Sequence, residues 1–487
     1  MKRYFLIFFL FMSMFLFEGC GANRTGASID KNATVKEVYL EPSLKKYGLK
    51  LLIPMYIYPS PKSIEWRKLI DFKKVYPDSN ITTIVNPDNG HFTKLDSNYK
   101  QIIQKLVDAN ITVLGYVHTN YGERDIDDVT SDIDAWKQFY GDLGVDGIFF
   151  DEAATDNKHL EYYTKLSKYT REKGFARVVL NPGTGVDDGY IKAGIANIIV
   201  DYEDIYAHLS NVATWNTPTK STSLAMLVYD VNDTKVQEVV KKAVDNNISY
   251  IYLTNISKHP YTSLSKYLSL RQAFSKKEFQ ETLKISKLQA PTSSYDPMWG
   301  THYGEFNGVA NRYFYLNDNL VHFAMCGYKR RSELRFKETW NVSTKTPKTM
   351  EAKLEVYPLD DQISEFTFLQ IHTDSHQEGG INSPLLRIVW KKVYNYESDH
   401  LWAIVKLDTI EDGDNYEEID LGKRPDKLFT VKISVKDNKL YLWINQQQKI
   451  DNMDVSYWNE YLNYFKAGVY LQSEGCAKSS FDTLRVY

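Results

Sequence analysis

The chain has 487 residues, of which 43% are hydrophobic and 25% charged, and these globular values exclude a fully disordered or fibrous protein. Its 59 Lys and Arg against 62 Asp and Glu leave a formal charge of −3, which provides no basic excess for general nucleic-acid binding. Three cysteines are too few for a disulfide scaffold or a multi-cysteine zinc site, and the length suggests two or three domains.

The first 20 residues predict an exported protein. A basic start precedes an apolar run over 4–17, which has signal-peptide length and is shorter than the roughly 20 residues of a membrane-spanning helix. The run leads into Cys20 through a segment that resembles a bacterial lipoprotein cleavage site, although two of its residues depart from the usual small and aliphatic types. We expect lipidation of Cys20, a tether over 21–47, and a location at the cell surface or in the periplasm. The alternative is a plain secretory signal.

Residues 48–280 alternate between short apolar runs and amphipathic helical stretches. Eight such alternations predict a (β/α)8 barrel, which is TIM-like in its order of elements. A doubly wound open sheet is the alternative, but no glycine-rich phosphate loop follows the first strand. The predicted strands are 51–57, 82–85, 112–117, 147–150, 177–180, 195–200, 223–228 and 250–253.

Helical periodicity nearly disappears beyond a segment at 281–297, whose Pro and Ser residues predict a linker. Apolar residues then recur in steps of two between Asn, Asp and Gly, which predicts an all-β jelly-roll sandwich over 298–487. Its Cys326 and Cys476 could pair after export or remain buried free thiols. The clearest predicted strands are 350–357, 365–372, 385–393, 401–407, 428–435, 439–444 and 464–471.

Carboxylates follow two of the predicted barrel strands. Asp151 and Glu152 end the fourth strand, and Glu203 follows the sixth. Residues at the carboxyl ends of the strands line the active site in such barrels. Glycoside hydrolysis needs two carboxyl groups, one to protonate the leaving oxygen and one to act as nucleophile or base. The alternative role for acids after strands is to cap helices.

Five segments of the barrel resemble the spherulin-4-like family, glycoside hydrolase family 135. The longest is Val-Asp-Gly-Ile-Phe-Phe-Asp-Glu at 145–152, and the others are 56–59, 84–87, 114–119 and 179–184. The resemblance implies a (β/α)8 fold and endo-cleavage of α-1,4-linked galactosamine or N-acetylgalactosamine polymers. It places the catalytic acids at Asp151, Glu152 and Glu203. Tyr229 departs from the histidine expected at the end of the seventh strand.

Within that resemblance, we expect Asp151 to be the nucleophile or stabiliser and Glu203 the proton donor, with Glu152 as a neighbour. Two adjacent carboxyl groups could raise the pKa of one and hold a proton near neutral pH. The residues expected to line the cleft are Tyr58, Asn86, His118, Tyr121 and Asn181.

Three predicted strands of the sandwich carry polar residues at alternating positions, which places them on one face of a sheet. So many polar side chains do not suit a dry core, and they predict a wet concave groove for an anionic polymer. The three sets are Arg331, Glu333 and Arg335; Gln370 and His372; and Lys466, Gly468, Tyr470 and Gln472.

These strands resemble polysaccharide lyase family 7, the alginate lyase type. That family is marked by an Arg-(Ser/Thr)-Glu-Leu-Arg strand, a Gln-(Ile/Val)-His strand and a Tyr-Phe-Lys-Ala-Gly strand that ends in Tyr. All three are present in order at 331–335, 370–372 and 464–470, although Leu471 stands where Asn is commoner. The resemblance covers roughly 300–487. It implies cleavage of a uronate polymer by β-elimination, with no metal or other cofactor.

Elimination removes the C5 proton of a uronate, which is very weakly acidic while the adjacent carboxylate keeps its charge. Arg331, Gln370 and His372 are expected to neutralise or hydrogen-bond that carboxylate. Tyr470 is expected to take the proton and to protonate the leaving O4. For guluronate, whose C5 proton lies on the other face, His372 is the expected base. By family resemblance, Ile371 favours guluronate-containing substrates.

The remaining groove residues have expected binding roles. Lys466 and Arg335 should bind neighbouring carboxylates, Glu333 should orient an arginine, and Gln472 should contact substrate. The whole pattern predicts a lipid-anchored, monomeric enzyme with two activities, acting on a uronate polysaccharide and on an amino-sugar exopolysaccharide of the kind found in biofilms. Two alternatives remain: a glycoside hydrolase with an anionic-glycan binding module, and a surface lipoprotein that binds polysaccharide without cleaving it.

Overall fold

The computed structural model describes residues 38–61, 63–211, 216–291 and 310–487. The predicted signal peptide, Cys20 and most of the predicted tether lie outside these residues, as does the second part of the predicted linker. No helix within the described residues is long and apolar enough to cross a membrane.

Eight parallel strands in the first half of the chain form a closed barrel, in which each strand pairs with the next along the chain. The strands are β1 (Lys50–Met55), β2 (Ile81–Val85), β3 (Thr112–His118), β4 (Val145–Asp151), β5 (Arg177–Leu180), β6 (Ile198–Ile205), β7 (Ser223–Tyr229) and β8 (Tyr250–Leu253). The pairing of β1 with β8 closes the barrel, so the barrel prediction is confirmed and the open sheet is excluded.

Helices lie between most of these strands because their apolar residues recur at helical spacing. They are α2 (Glu65–Val75), α3 (Ser97–Asp108), α4 (Ile126–Tyr140), α5 (Leu160–Glu172), α6 (Asp188–Ala193) and α7 (Val236–Asp245), and α1 (Glu41–Tyr47) precedes β1. In α7, Val236, Val239 and Val240 are buried along one face. Asp96 caps α3 by accepting hydrogen bonds from the backbone N–H groups of residues 98 and 99. Because all eight strands are parallel, their carboxyl ends lie at the same end of the barrel.

The end of the predicted tether is part of the barrel. Residues 41–47 form α1, and Leu40 and Leu44 are buried in the barrel core. These two leucines stand four residues apart, so they lie on one face of the helix. Gly48 ends the helix in a left-handed conformation with φ 65°. One short turn of apolar spacing is too brief to be distinguished from a polar tether by sequence pattern.

The second half of the chain forms two seven-stranded sheets, which confirms the predicted sandwich. The strands are β9 (Ser286–Gln289), β10 (Phe314–Asn317), β11 (Leu320–Cys326), β12 (Arg331–Phe336), β13 (Lys348–Pro358), β14 (Glu365–Thr373), β15 (Pro384–Tyr394), β16 (Glu397–Lys406), β17 (Tyr416–Lys423), β18 (Phe429–Lys436), β19 (Lys439–Ile444), β20 (Gln447–Asp454), β21 (Asn463–Leu471) and β22 (Cys476–Val486). One sheet, the outer sheet, has the order β10-β11-β22-β13-β18-β19-β20. The other, the groove sheet, has the order β17-β16-β15-β14-β21-β12-β9.

Residues 280–289 overlap the predicted linker but belong to the sandwich. A short helix, α8 (Gln280–Lys284), buries Leu283 in the sandwich core, and β9 pairs with β12 at the edge of the groove sheet. The pairing partner of β9 lies more than 40 residues further along the chain, so no local pattern announces this strand. The structure also pairs Cys326 with Cys476 in a disulfide that joins the ends of β11 and β22.

The two halves contact each other directly. A β-bridge joins Arg271, which follows the barrel, to Leu316 in β10. Asp71 of α2 is buried, and its carboxylate lies 3.6 Å from Nε of Arg312. Burial raises the pKa of Asp71 to about 6, although the charge of Arg312 opposes this shift. Asn317 and Asp318 also line a pocket together with Lys50 and Asn80, so the sandwich lies near the amino ends of β1 and β2 and away from their carboxyl ends.

Candidate active sites

Two of the predicted barrel acids meet through one amide group. Nδ2 of Asn181 donates to Oδ1 of Asp151 and to Oε2 of Glu203, each at 2.6 Å. Asp151 ends β4, Asn181 directly follows β5 and Glu203 lies in β6. Three consecutive strands therefore bring these side chains together at the carboxyl end of the barrel, where such folds carry their chemistry.

Tyrosine hydroxyls complete the contacts of both carboxylates. Tyr116 OH donates to Oδ2 of Asp151 at 2.8 Å, and Tyr261 OH donates to Oε1 of Glu203. The ring of Tyr56 meets those of Tyr116 and Tyr261 edge to face, with centroids 5.5 and 5.4 Å away. Burial raises the pKa of Tyr56 well above its ordinary value, and the two carboxylates add to that shift. Burial likewise raises the pKa values of Tyr116 and Tyr261, so these two phenols stay protonated and act as hydrogen-bond donors.

The pKa of Glu203 is raised, first by burial and then by the negative charge of Asp151. The hydrogen bonds from Tyr261 and Asn181 oppose this shift without reversing it. Within the described residues, the hydrogen-bond partners of this carboxylate are neutral, so no cation offsets the repulsion. A proton is therefore held preferentially on Glu203. Burial is the first cause and the charge of Asp151 across the cleft is the second, whereas the predicted adjacency of Asp151 and Glu152 is not among the causes.

In the sandwich, Glu333 is the centre of a buried polar cluster. Its side chain is fully buried and accepts from Nε2 of Gln370 and Nζ of Lys466, each at 2.5 Å, while Arg331 Nη1 lies 3.9 Å away. Although burial raises the pKa of Glu333, the positive charges of Lys466 and Arg331 hold it below its ordinary value. Burial also lowers the pKa of Lys466 to about 8, against the attraction of Glu333. Glu333 is expected to orient an arginine; Arg331 lies within 3.9 Å, and the nearest cation is Lys466.

The imidazole of His372 is neutral and has a defined orientation. Burial, followed by the charge of Lys466, lowers the pKa of His372 to about 4. Nδ1 lies 2.9 Å from the carbonyl oxygen of Thr373, so the ring donates its proton there and leaves the lone pair on Nε2. The ring stacks on Tyr464, with centroids 5.6 Å apart and planes inclined by 17°. His372 can therefore accept a proton at Nε2 near neutral pH.

Two arginines lie over aromatic rings on the same face. The guanidinium carbon of Arg331 is 4.4 Å from the ring centroid of Tyr470, which stands opposite it in the β12–β21 register. That of Arg335 is 4.2 Å from the centroid of Tyr464, and Arg335 also contacts Asp374 at 3.2 Å. Both arginines are half-buried. Their positions are held by cation–π contacts, which leaves positive charge beside His372 and Tyr470.

Gly468 explains why a glycine stands in the middle of β21. It pairs with Glu333 in register, and a Cβ at this position would collide with the backbone of Ser332 and Glu333. Its φ is 145°, which L side chains rarely adopt. Only glycine lets β21 approach β12 closely enough for Glu333 to reach Lys466.

Family models match both halves of the chain. The model described as "Spherulation-specific family 4" matches residues 50–273, and the model described as "Alginate lyase" matches residues 284–487. An alginate lyase from Photobacterium sp. is 32% identical over an alignment of 214 residues, and the match covers 37% of this chain and 74% of that protein. The chain belongs to the alginate lyase family. Its first half is a domain of spherulation-specific family 4, here the spherulin-4 domain, and the second is the alginate lyase domain.

Other similar proteins divide in the same way. Spherulin-4 from Physarum polycephalum is 37% identical over 170 residues, which cover 34% of this chain and 48%, about half, of that protein. A solved structure of the alginate lyase AlyC3 is 27% identical, with a TM-score of 0.41, and the match covers 45% of this chain and 95% of that one. Sph3 from Aspergillus clavatus, solved in complex with GalNAc, is 27% identical with a TM-score of 0.40, covering 45% and 94%.

The other predicted residues of the spherulin-4 domain lie around the acid pair. Tyr58 and Tyr121 are 52% and 58% exposed, which places them at the rim. Asn86 and His118 are half-buried, and Oδ1 of Asn86 has no hydrogen-bond partner among the described residues. Glu152 has a left-handed φ of 52°, and its carbonyl accepts hydrogen bonds from the loop after β3.

Sequence reasoning missed three tyrosines of the spherulin-4 domain, Tyr56, Tyr116 and Tyr261. Tyr56 and Tyr116 stand inside segments that carry the family resemblance, so strand alternation could have pointed to them. Tyr261 lies in a loop with no such signal. Tyr229, where a histidine is expected, lies 3.5 Å from Oδ1 of Asp204, and burial raises its pKa.

Three positions of the alginate lyase domain have contacts that the sequence did not predict. Lys466 is only 1% exposed and pairs with Glu333, so it is not available as an exposed carboxylate ligand. Gln472 donates to Thr367 Oγ1 at 2.5 Å. Tyr464 was not predicted as a site residue, yet its ring contacts both Arg335 and His372. Its place two residues before Lys466 on the same strand face was the available signal.

Proposed function

We propose that the alginate lyase domain cleaves a uronate polysaccharide by β-elimination. The observation that carries this proposal is His372, whose neutral ring presents an unprotonated Nε2 beside the positive charge of Arg331. A base and a source of carboxylate neutralisation are the two requirements of this reaction. Both lie on the face of the groove sheet that is turned away from the sandwich core.

In the proposed reaction, Arg331 and Gln370 contact the substrate carboxylate and stabilise the negative charge that develops as the C5 proton leaves. The proton passes to Nε2 of His372 for guluronate, or to Tyr470 for mannuronate. The electron pair of the C5–H bond forms the C4–C5 double bond, the C4–O4 bond breaks, and O4 takes a proton from Tyr470. The buried Glu333–Lys466 pair holds Gln370 in position.

The test is the rise in absorbance at 235 nm that a new unsaturated uronate produces. Protein lacking residues 1–20 is assayed on poly-guluronate, poly-mannuronate and mixed alginate, with Tyr470→Phe as the control. We expect a rise with wild type that is lost in the variant, and the fastest rise on guluronate-containing polymer. No rise on any of the three polymers would refute the proposal for alginate.

A second proposed activity is supported by the acid pair of the spherulin-4 domain. Asp151 and Glu203 share the Nδ2 of Asn181, so their nearest oxygens lie within about 5 Å, a spacing typical of retaining glycosidases rather than inverting ones. Glu203, whose pKa is raised, would protonate the leaving oxygen. Asp151 would attack the anomeric carbon or stabilise the charge that develops there. We propose an α-1,4-linked galactosamine or N-acetylgalactosamine polymer as the substrate.

Release of reducing ends from such a polymer tests this activity. Wild-type protein should release them, Asp151→Asn should not, and Tyr470→Phe should act like wild type. Proton NMR of the first product should show retention of the anomeric configuration. Loss of hydrolysis in Tyr470→Phe, or inversion of configuration, would contradict the assignment.

We also propose that the protein is exported, is anchored in the membrane through lipid on Cys20, and acts as a monomer on mixed exopolysaccharide. The support is the N-terminal sequence. Fatty-acid labelling of wild type, with none in Cys20→Ser, is the expected result. Secretion of unlabelled wild-type protein into the medium would favour the plain secretory signal.

A further inference from the structure

The outer sheet carries a line of polar and aromatic side chains on its exposed face. The register places Glu351 of β13 beside Arg485 of β22 and beside Lys432 of β18, and it places Lys432 beside Trp443 of β19. We call these four residues the outer row. Four adjacent strands spaced by about 4.8 Å make this row roughly 15 Å long. The alternate residues of these strands, such as Ala352 and Leu442, point into the core.

A cleft of about 590 Å³ follows this row. Besides the outer row, it is lined by side chains from the neighbouring positions of the same strands and from the turn after β19. These are Lys353, Thr430, Gln446 and Thr483. Because Lys353, Thr430, Gln446 and Arg485 are exposed, the cleft is open along its length. Paired β-strands form its floor, so the backbone beneath the cleft is held in place.

The cleft has positive charge in a protein that is acidic overall. Its lining contains Lys353, Lys432 and Arg485 against one acid, Glu351, while the whole chain has a formal charge of −3. Lys432 contacts Glu351 at 3.1 Å, and Lys353 contacts Asp482 at 2.9 Å. Surface pairs of this kind are weak, so a polymer carboxylate can compete for either lysine. The charge pattern therefore favours an anionic ligand.

Two aromatic rings lie beside the charged residues of the cleft. Trp443 is half-buried, and the ring of Tyr441 lies nearly parallel to it, with centroids 5.9 Å apart and planes inclined by 13°. Nζ of Lys432 is 5.6 Å from the Trp443 ring centroid. A large amphipathic ring beside a cation and several hydroxyl and amide groups can bind a sugar through its apolar face and its carboxylate together.

We infer that the outer row is a second, non-catalytic binding site for a polyuronate chain. It is separate from the groove of His372 and Tyr470, because that groove belongs to the other sheet and the sandwich core lies between them. The site would hold the polymer while the groove cleaves it, which raises the local concentration of substrate. This inference rests on the proposed lyase function, since its ligand is the same polymer.

Affinity electrophoresis of full-length protein through gels containing polyuronate tests the site. The Tyr470→Phe variant serves as the parent, so binding is measured without cleavage. We expect Trp443→Ala to raise the dissociation constant at least fivefold and Lys432→Gln to raise it in the same direction. Tyr396→Ala removes a fully exposed aromatic ring at the β15–β16 turn and is the matched control. It should migrate like the parent, and a neutral glucan should retard none of them.

The overturning result is equal retardation of the parent, Trp443→Ala and Lys432→Gln. Lys432→Gln leaves the tryptophan in place, so its effect cannot be attributed to unfolding around Trp443. In the wild-type background, Trp443→Ala should lower kcat/KM on long polymer three- to tenfold and leave the rate on trimers unchanged. Because the gel measures binding and absorbance at 235 nm measures cleavage, failure of this site and failure of the proposed lyase are distinguishable.

Discussion

The two sites differ in the partners of their buried carboxylates, which are neutral groups in one domain and cations in the other. Among the described residues of the spherulin-4 domain, Asp151 and Glu203 accept side-chain hydrogen bonds from neutral groups: Asn181 donates to both, Tyr116 to Asp151 and Tyr261 to Glu203. In the alginate lyase domain, the buried carboxylate of Glu333 is paired with Lys466 and has Arg331 nearby. The first arrangement raises the pKa of a carboxyl group, whereas the second lowers it.

This difference indicates the chemistry that each site can perform. An uncompensated acid pair holds a proton that can be given to a leaving oxygen. A compensated carboxylate surrounded by cations holds no such proton, but it fixes positive charge that can receive the carboxylate of a substrate. The same residue type, Glu, is therefore expected to be a catalyst in one domain and a positioning residue in the other.

The largest expected effect is the loss of hydrolysis when Glu203 is replaced. We expect Glu203→Gln to lower hydrolysis of the amino-sugar polymer by about 10²–10⁴-fold, because the amide cannot donate the proton that the leaving oxygen needs. An aryl glycoside with an activated leaving group should be cleaved at a rate much closer to that of wild type. Equal losses on both substrates would show that Glu203 is not the proton donor.

Removing the matching glutamate in the other domain should act on stability. Glu333→Gln leaves Lys466 buried without its counter-ion, which typically costs about 3–5 kcal/mol in the free energy of unfolding. Urea denaturation measures this change. Lys345→Met, which breaks an exposed ion pair with Asp437, is the control and should leave the unfolding midpoint unchanged. A midpoint for Glu333→Gln equal to that of wild type would show that Glu333 does not stabilise the buried charge of Lys466.

A smaller effect is expected from one hydroxyl group in the spherulin-4 domain. Tyr116→Phe removes a hydrogen bond to Asp151, and bonds to charged groups are worth about 1.5–3 kcal/mol, or roughly 10–100-fold in rate if the bond acts in the transition state. Initial rates on the amino-sugar polymer check this. Tyr169→Phe loses a hydrogen bond to Asp134 on the outside of the barrel and should hydrolyse at the wild-type rate. Equal rates in the two variants would show that the hydroxyl group of Tyr116 does not contribute to hydrolysis.

The smallest expected change is in the pH profile of the lyase. In the proposed mechanism the neutral form of His372 is the active one, and burial lowers its pKa to about 4, well below the usual 6.5. Initial rates on poly-guluronate should therefore change less than about twofold between pH 7 and pH 5. A fall through pH 6.5 would show an unperturbed histidine. Because the unfolded chain takes up this proton first, His372 should also make the fold less stable as pH drops from 6.5 towards 4.

Much of the barrel could be predicted from sequence because its strands are continuous apolar runs. The predicted strand at 250–253 coincides with β8, and that at 177–180 coincides with β5. Strands at the edges of the sandwich are harder to predict from sequence. β9 is four residues long, and its partner β12 is distant in sequence, so pattern alone assigns it to a linker.

For the two sites, the sequence predicts the positions of the residues but not their side-chain contacts. The sequence places Asp151, Asn181 and Glu203 at strand ends, and the barrel brings those ends together. Predicting that one amide group joins the two carboxylates requires side-chain geometry. Likewise, alternation places Lys466 on the face of Glu333, but burial decides that the lysine pairs with that glutamate rather than remaining open to substrate.

We propose that the two active sites of this chain work independently of each other. The most direct measurement is absorbance at 235 nm for full-length Asp151→Asn and Tyr470→Phe on the same alginate sample. We predict a wild-type rate for Asp151→Asn and none for Tyr470→Phe. Loss of the signal in Asp151→Asn, or its persistence in Tyr470→Phe, would contradict the claim.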